Sequence, residues 1–94
     1  MADAPEEQRE VYYSGRVQGV GFRYTTRSVA RGFAVTGFVK NLPNGRVQVV
    51  VEGAKAEIEA FLRTIRAEMG HHVSGVEETT HPATGQFSRF EVRF

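Results

Sequence analysis

Residues 35–52 read VTGFVKNLPNGRVQVVVE, and this stretch predicts a β-hairpin. Apolar and polar residues alternate before and after residues 42–45, which is the period of a half-buried strand. Asn44 and Gly45 lie between the two arms, and Asn-Gly is the strongest short-range signal of a hairpin turn. We therefore predict two paired strands on either side of residues 42–45.

Helical periodicity flanks the hairpin on both sides. After it, residues 54–69 carry an apolar stripe with charged residues on the opposite face. Gly32 and Gly70 follow the two periodic segments, and glycine is common at the C-terminus of a helix. Before the hairpin, one face of a predicted helix is formed by Phe22, Thr25, Thr26, Val29, Ala30 and Phe33.

Three further strand-like runs complete the order β-α-β-β-α-β with an extra C-terminal strand, at residues 10–14, 76–80 and 87–94. This order predicts an α+β fold, a ferredoxin-like sandwich whose antiparallel sheet carries two helices on one face. A right-handed crossover makes the first two strands parallel, and the third strand fits between them. The glycine-rich residues 15–21, the start of the first helix and Asn41 should therefore meet at one edge of the sheet.

Composition narrows the class of protein. The 94 residues, 40% of them apolar, suit one domain, which we place at residues 9–94 after an acidic, disordered tail at residues 1–8. The absence of cysteine excludes disulfides, thiolate nucleophiles and cysteine metal sites. A net charge of +1 argues against binding to nucleic acid by phosphate neutralisation. Because no signal-peptide or membrane-helix pattern is present, we expect a cytoplasmic protein without a membrane partner.

Residues 15–23 read GRVQGVGFR and favour an anion-binding loop. The three glycines let successive N–H groups curve around an oxyanion, and the N-terminus of a helix attracts phosphate. Arg23 lies in the first turn of the predicted helix, where a cation opposes the helix dipole unless it shares an anion with the amides. Alternatively, the loop is a flexible connection, and Arg23, Arg27 and Arg31 form a solvated basic row.

Asn41 also has two interpretations. An asparagine at the end of a strand can support the turn that follows, here residues 42–45. If Asn41 instead meets the glycine-rich loop, its uncharged amide can orient a water molecule beside a bound phosphate. The residue alone does not decide between a turn and a catalytic role.

The two segments together resemble the acylphosphatase family. GRVQGVGFR at residues 15–23 is followed at residues 37–53 by GFVKNLPNGRVQVVVEG, and the resemblance extends over nearly the whole chain in length and element order. It implies hydrolysis of small acyl phosphates to a carboxylate and inorganic phosphate, with phosphate and sulfate as inhibitors. It also implies that Arg23 binds the phosphate and Asn41 orients the water. The implied phosphate cradle is the backbone of Arg16, Val17, Gln18, Gly19 and Val20.

This reaction suits a chain without a nucleophile–base pair or a metal cluster. An acyl phosphate carries its own good leaving group, and phosphoryl transfer mainly requires positioning and charge stabilisation. We therefore expect direct attack by water, without a metal, a cofactor or a covalent intermediate, in a protein that is expected to be a monomer. Phe38 and residues 70–72, Gly-His-His, depart from the family pattern, and we expect them to affect packing or the acyl end of the pocket.

Other functions have weaker support. Residues 31–38 partly match the RNP1 motif of RNA-recognition domains, but Val35 and Thr36 break the match. An accessory anion-sensing domain is a third possibility, which release of phosphate from acetyl or benzoyl phosphate distinguishes. His71 and His72 are expected to point in opposite directions in extended chain, so a shared metal is not favoured, and His81 is ten residues away.

Overall fold

The computed structural model describes residues 6–94. Two helices, five strands and one turn of 3₁₀-helix follow one another in the predicted order. Their bounds are β1 Glu6–Gly15, α1 Phe22–Ala30, β2 Val35–Asn41, β3 Val47–Ala54, α2 Lys55–Met69, the 3₁₀ turn Gly70–His72, β4 Val73–Pro82 and β5 Phe90–Arg93. The α+β sandwich predicted from the sequence is confirmed.

The five strands form one sheet in the order β4-β1-β3-β2-β5. β3 is antiparallel to both β1 and β2, so β1 and β2 are parallel to each other with β3 between them, as predicted. β5 pairs in parallel with β2, which makes the sheet mixed where a wholly antiparallel sheet was expected. The reason is that the chain reverses direction while it passes from β4, at one edge, to the opposite edge.

Both helices pack on one face of the sheet. The valines at alternate positions of the central strands are buried there, and Ile58, Phe61 and Ile65 of α2 are fully buried against them. Phe61 stands edge-on to the rings of Phe33 and Phe90, at centroid distances of 6.3 and 5.4 Å. These aromatic contacts join α2 to the connection between α1 and β2 and to β5.

On the other face, residues 83–89 are tied to the sheet through Glu52. Its side chain accepts hydrogen bonds from the backbone amides of Thr84 and Gly85, the Thr84 hydroxyl and the side-chain Nε2 of Gln8, at 2.7 to 3.0 Å. Burial alone raises the pKa of Glu52, but the hydrogen bonds from Thr84, Gln8 and Gly85 outweigh it and hold the pKa below its ordinary value. Glu52 is therefore a buried carboxylate that fixes the crossing segment.

The start of β1 differs from the prediction. Of the expected disordered tail at residues 1–8, residues 1–5 lie outside the described part of the chain, and residues 6–8 are the first residues of β1. All three pair with β3, and Glu7 and Gln8 also pair with β4. Arg9 stabilises this end of the strand, because its guanidinium contacts Glu7 and Glu78 at 2.7 Å and Glu59 of α2 at 3.5 Å.

Candidate active site

The glycine-rich loop leaves β1 at a point where the backbone is tightly packed. The amide of Arg16 donates to the His72 carbonyl at 2.9 Å. A Cβ atom on Gly15 would lie 2.5 Å from that carbonyl oxygen and 2.7 Å from the Ser74 nitrogen, and the φ of Gly15 is 121°. Only glycine fits here without a backbone shift. The backbone carbonyl of His72, in the Gly-His-His turn, thus anchors the start of the glycine-rich loop.

The middle of the loop presents backbone donors that the protein leaves unused. Within residues 6–94, no N–H group of residues 17–21 donates a hydrogen bond to a protein acceptor. Gly21, with a φ of 78°, precedes α1, which has no side-chain cap and no acidic residue in its first turn. The Arg16 amide is engaged by His72, so residues 17–21 carry the amides available to an oxyanion.

Arg23 projects from the first turn of α1 into the same region. It is half-buried and, among the residues that the structure describes, forms no ion pair. Its guanidinium carbon lies 4.6 Å from the centroid of the Phe94 ring. Arg31 follows the end of α1 and is exposed, whereas Arg23 is half-buried. The arginines at positions 23, 27 and 31 therefore do not form a uniformly solvated row.

Asn41 and Arg23 line one cavity of about 110 Å³, together with Val17, Gly19, Gly21, Phe22 and Tyr24. The Asn41 Oδ1 atom is buried and has no hydrogen-bond partner in the described chain. The turn is held without it: the Leu42 amide donates to the Arg46 carbonyl, and the Arg46 amide donates to Asn44 Oδ1 at 3.0 Å. The geometry therefore favours a polar group aimed at a ligand or water over a turn-supporting role.

Sequence reasoning did not assign a role to the Gln18 side chain. Its Nε2 atom donates to the carbonyls of Leu42 and Arg46, at 2.8 and 3.0 Å. These contacts join the loop to the turn that follows Asn41. Because the acceptors are backbone carbonyls, residue types at the turn carry no signal for this contact.

The alternative sites are less well formed. His71 and His72 lie in the 3₁₀ turn, where their ring centroids are 3.9 Å apart and the ring planes are tilted by 42°. The expectation that the two side chains diverge was wrong because it assumed extended chain. Residues 6–94 contain no group of three or more potential metal-ligating side chains. Phe33 of the partial RNP1 match packs on Phe61, while Phe38 lies beside Phe87 and Arg93 on the other sheet face.

Two larger grooves of about 400 Å³ each lie between α2 and β4. Tyr13, Arg66 and Val76 line both of them. Neither groove is lined by the unpaired amides or the buried Asn41 oxygen that mark the smaller cavity. The smaller cavity is therefore the better candidate for chemistry.

The small cavity thus combines free backbone amides, an arginine and the oxygen of an asparagine side chain. Together these groups define a candidate oxyanion site in an α+β sandwich. The acylphosphatase family model matches residues 9–92, and the chain belongs to this family. An acylphosphatase of Rubrobacter xylanophilus is 44% identical over 95 residues, covering 99% of this chain and 86% of the relative. That of Nocardia farcinica is 44% identical over 100 residues, covering 99% and 100%.

Solved structures show the same likeness. The crystal structure of acylphosphatase from Bacillus subtilis superposes with a TM-score of 0.84 at 28% identity, covering 94% of this chain and 99% of that one. Family, length and fold agree, so the chain has acylphosphatase activity and is a hydrolase.

None of the helices within residues 6–94 has the length and apolar character needed to cross a membrane.

Proposed function

We propose that the loop amides and Arg23 bind the phosphoryl group of an acyl phosphate while Asn41 orients the attacking water. The observation that carries this proposal is the buried, unpartnered Asn41 Oδ1 in the same small cavity as Arg23. The Arg16 amide serves as the anchor of the cradle, and the amides of Val17, Gln18, Gly19 and Val20 supply its donors.

The mechanism is direct displacement at phosphorus. The water oxygen forms the new bond to phosphorus, the bond from phosphorus to the acyl oxygen breaks, and the electron pair leaves with the carboxylate. Both protons of the water remain with the phosphate product, which leaves as H₂PO₄⁻. Asn41 Oδ1 accepts a hydrogen bond from the water and so fixes its direction of approach. Arg23 and the amides stabilise charge on the phosphoryl oxygens, which is the main requirement of this class of reaction.

The substrates are proposed to be small acyl phosphates, as membership of the acylphosphatase family implies, and the cavity of about 110 Å³ is proposed to receive the phosphoryl group. Inorganic phosphate and sulfate should accept hydrogen bonds from the same donors and therefore inhibit competitively. Residues 9–94 are proposed as the functional domain, and a cytoplasmic monomer without a nucleic-acid partner remains a prediction. Size-exclusion chromatography and subcellular fractionation test the last two points.

Hydrolysis of benzoyl phosphate in ¹⁸O-labelled water tests the mechanism. Attack at phosphorus places the label in inorganic phosphate, whereas attack at the carbonyl carbon places it in benzoate. We expect label in phosphate, no burst of product from a covalent intermediate, and unchanged turnover in EDTA. Label in benzoate, or activity that EDTA removes and a divalent cation restores, would overturn the proposal.

A further inference from the structure

The Gln18 side chain is the link between the two halves of the site. Its single Nε2 atom has two N–H groups, and both are used on carbonyls of the β2–β3 turn, Leu42 at 2.8 Å and Arg46 at 3.0 Å. We propose that Gln18 is a positioning residue, which sets the distance between the anion-binding loop and Asn41.

Both acceptor carbonyls also take part in backbone hydrogen bonds of that turn. The Leu42 amide donates to the Arg46 carbonyl at 2.8 Å, and the Gly45 amide donates to the Leu42 carbonyl at 3.1 Å. Gln18 therefore donates to two carbonyls that already accept backbone hydrogen bonds within the turn. Leu42 directly follows Asn41, so a fixed Leu42 backbone fixes the end of β2 from which the Asn41 side chain projects.

The loop has few other hydrogen bonds that hold it in place. Arg16 is anchored to His72, and residue 22 begins the helix, but residues 17–21 use none of their amides on the protein within the described chain. Val17 packs into the core. The hydrogen bonds of the Gln18 side-chain amide therefore hold the middle of the loop against the turn that follows β2.

This role predicts a particular kinetic signature. A phosphate held by the amides and Arg23 still binds when the link is broken, because those groups stay on one continuous segment of chain. The water held by Asn41 is then no longer aligned with it, and small displacements of reacting groups can cost about 10²-fold in rate. Loss of Gln18 should lower kcat and change KM little.

The test compares Gln18→Leu, which removes both donors, with Gln18→Glu, which presents a carboxylate to the two carbonyls. Gln48→Leu is the matched control, because Gln48 donates to Tyr12 from the other face of the sheet. We expect both Gln18 variants to lose at least about 10-fold in kcat, and in the uncharged Gln18→Leu variant KM and the inhibition constant of inorganic phosphate should stay within about 2-fold. Gln48→Leu should retain kcat. Melting temperatures with and without phosphate show that each variant is folded.

The proposal rests on the role proposed for Asn41, and a double-mutant cycle separates the two. If Gln18 acts through Asn41, Gln18→Leu should have almost no further effect on kcat in the Asn41→Ala background. Additive losses, or a folded Gln18→Leu variant with normal kcat or equally weakened phosphate binding, would overturn the positioning role. A normal kcat in Asn41→Ala alone would instead overturn the proposed mechanism, and the positioning role with it.

Discussion

The guanidinium of Arg23 lies over the ring of Phe94, with 4.6 Å between the guanidinium carbon and the ring centroid. Phe94 is 84% exposed, so the contact is worth about 0.5–1 kcal/mol. It restrains the arginine that we assign to the phosphate without neutralising its charge. An aromatic neighbour suits this role better than a carboxylate, which would compete with the substrate.

Replacement of Phe94 should therefore have a small effect that falls on binding. We expect Phe94→Ala to raise KM and the inhibition constant of inorganic phosphate by about 2- to 5-fold, because Arg23 loses its restraint. Phe94→Tyr keeps the aromatic face and should behave like the unmodified protein. Steady-state kinetics with phosphate as inhibitor measure both effects, and equal affinities in all three proteins would show that the stacking has no role in binding.

Removal of the Arg23 charge should have a much larger effect. Arg23→Gln loses charge-assisted hydrogen bonds to the phosphoryl oxygens, which corresponds to a loss of about 10- to 100-fold in phosphate affinity. Arg23→Lys should recover only part of it, because an ammonium group lacks the planar fork of the guanidinium. Isothermal titration with inorganic phosphate is the direct measurement.

Arg31→Gln is the control for this prediction. Arg31 carries the same charge just beyond the other end of α1 and is exposed. Its replacement should leave phosphate affinity unchanged. Equal losses in the two variants would mean that the general positive charge of the helix, and not the position of Arg23, attracts the anion.

Glu52 should make stability depend on pH. Its pKa is lowered in the folded protein, so its contribution is present above the ordinary carboxylate pKa and is lost as the pH falls through the folded value. Glu52→Gln should lose about 1–3 kcal/mol of unfolding free energy at neutral pH, and the difference from the unmodified protein should shrink in acid. Urea denaturation across pH measures this, and a difference that grows as the pH falls would contradict it.

Gly15 and Gly19 of the loop should differ in their tolerance of a side chain. At Gly19 a Cβ atom meets nothing within 4 Å, so Gly19→Ala incurs only the strain of a φ of 78°, about 1–2 kcal/mol. At Gly15 the Cβ also collides with backbone atoms of His72 and Ser74. Gly15→Ala should therefore be clearly less stable than Gly19→Ala in thermal unfolding. Equal stabilities would show that the backbone at His72 and Ser74 shifts to accept the side chain at little cost in free energy.

The sequence predicts the hairpin, both helices and the convergence of the loop with Asn41 because periodicity and turn residues report these features directly. It misses the first residues of β1, since Glu6, Glu7 and Gln8 have no apolar alternation and are held by pairing with neighbouring strands. β4 is longer than expected for a similar reason: it is an edge strand with mostly exposed side chains. Contacts to the carbonyls of His72 and Leu42 leave no pattern in residue types.

Asn41→Ala separates catalysis from turn formation. The Asn41 side chain makes none of the turn's hydrogen bonds, so the variant should fold with little change in melting temperature. It should bind inorganic phosphate through Arg23 and the loop amides, with KM nearly unchanged. Because the water is no longer oriented, kcat should fall by up to about 10²-fold. Asn41→Asp should not restore turnover, since its carboxylate repels the phosphoryl oxygens.

Asn44→Ala provides the opposite case within the same turn. Asn44 Oδ1 accepts a hydrogen bond from the Arg46 amide at 3.0 Å, and Asn44 has no proposed role in binding phosphate. The loss of its side chain should lower the free energy of unfolding by about 0.5–2 kcal/mol, by analogy with lost capping groups. Its kcat should remain near that of the unmodified protein. The two variants should therefore have opposite effects. Asn41→Ala should lower kcat and keep stability, whereas Asn44→Ala should lower stability and keep kcat. If Asn41→Ala instead loses only stability, Asn41 supports the turn and water is oriented by another group.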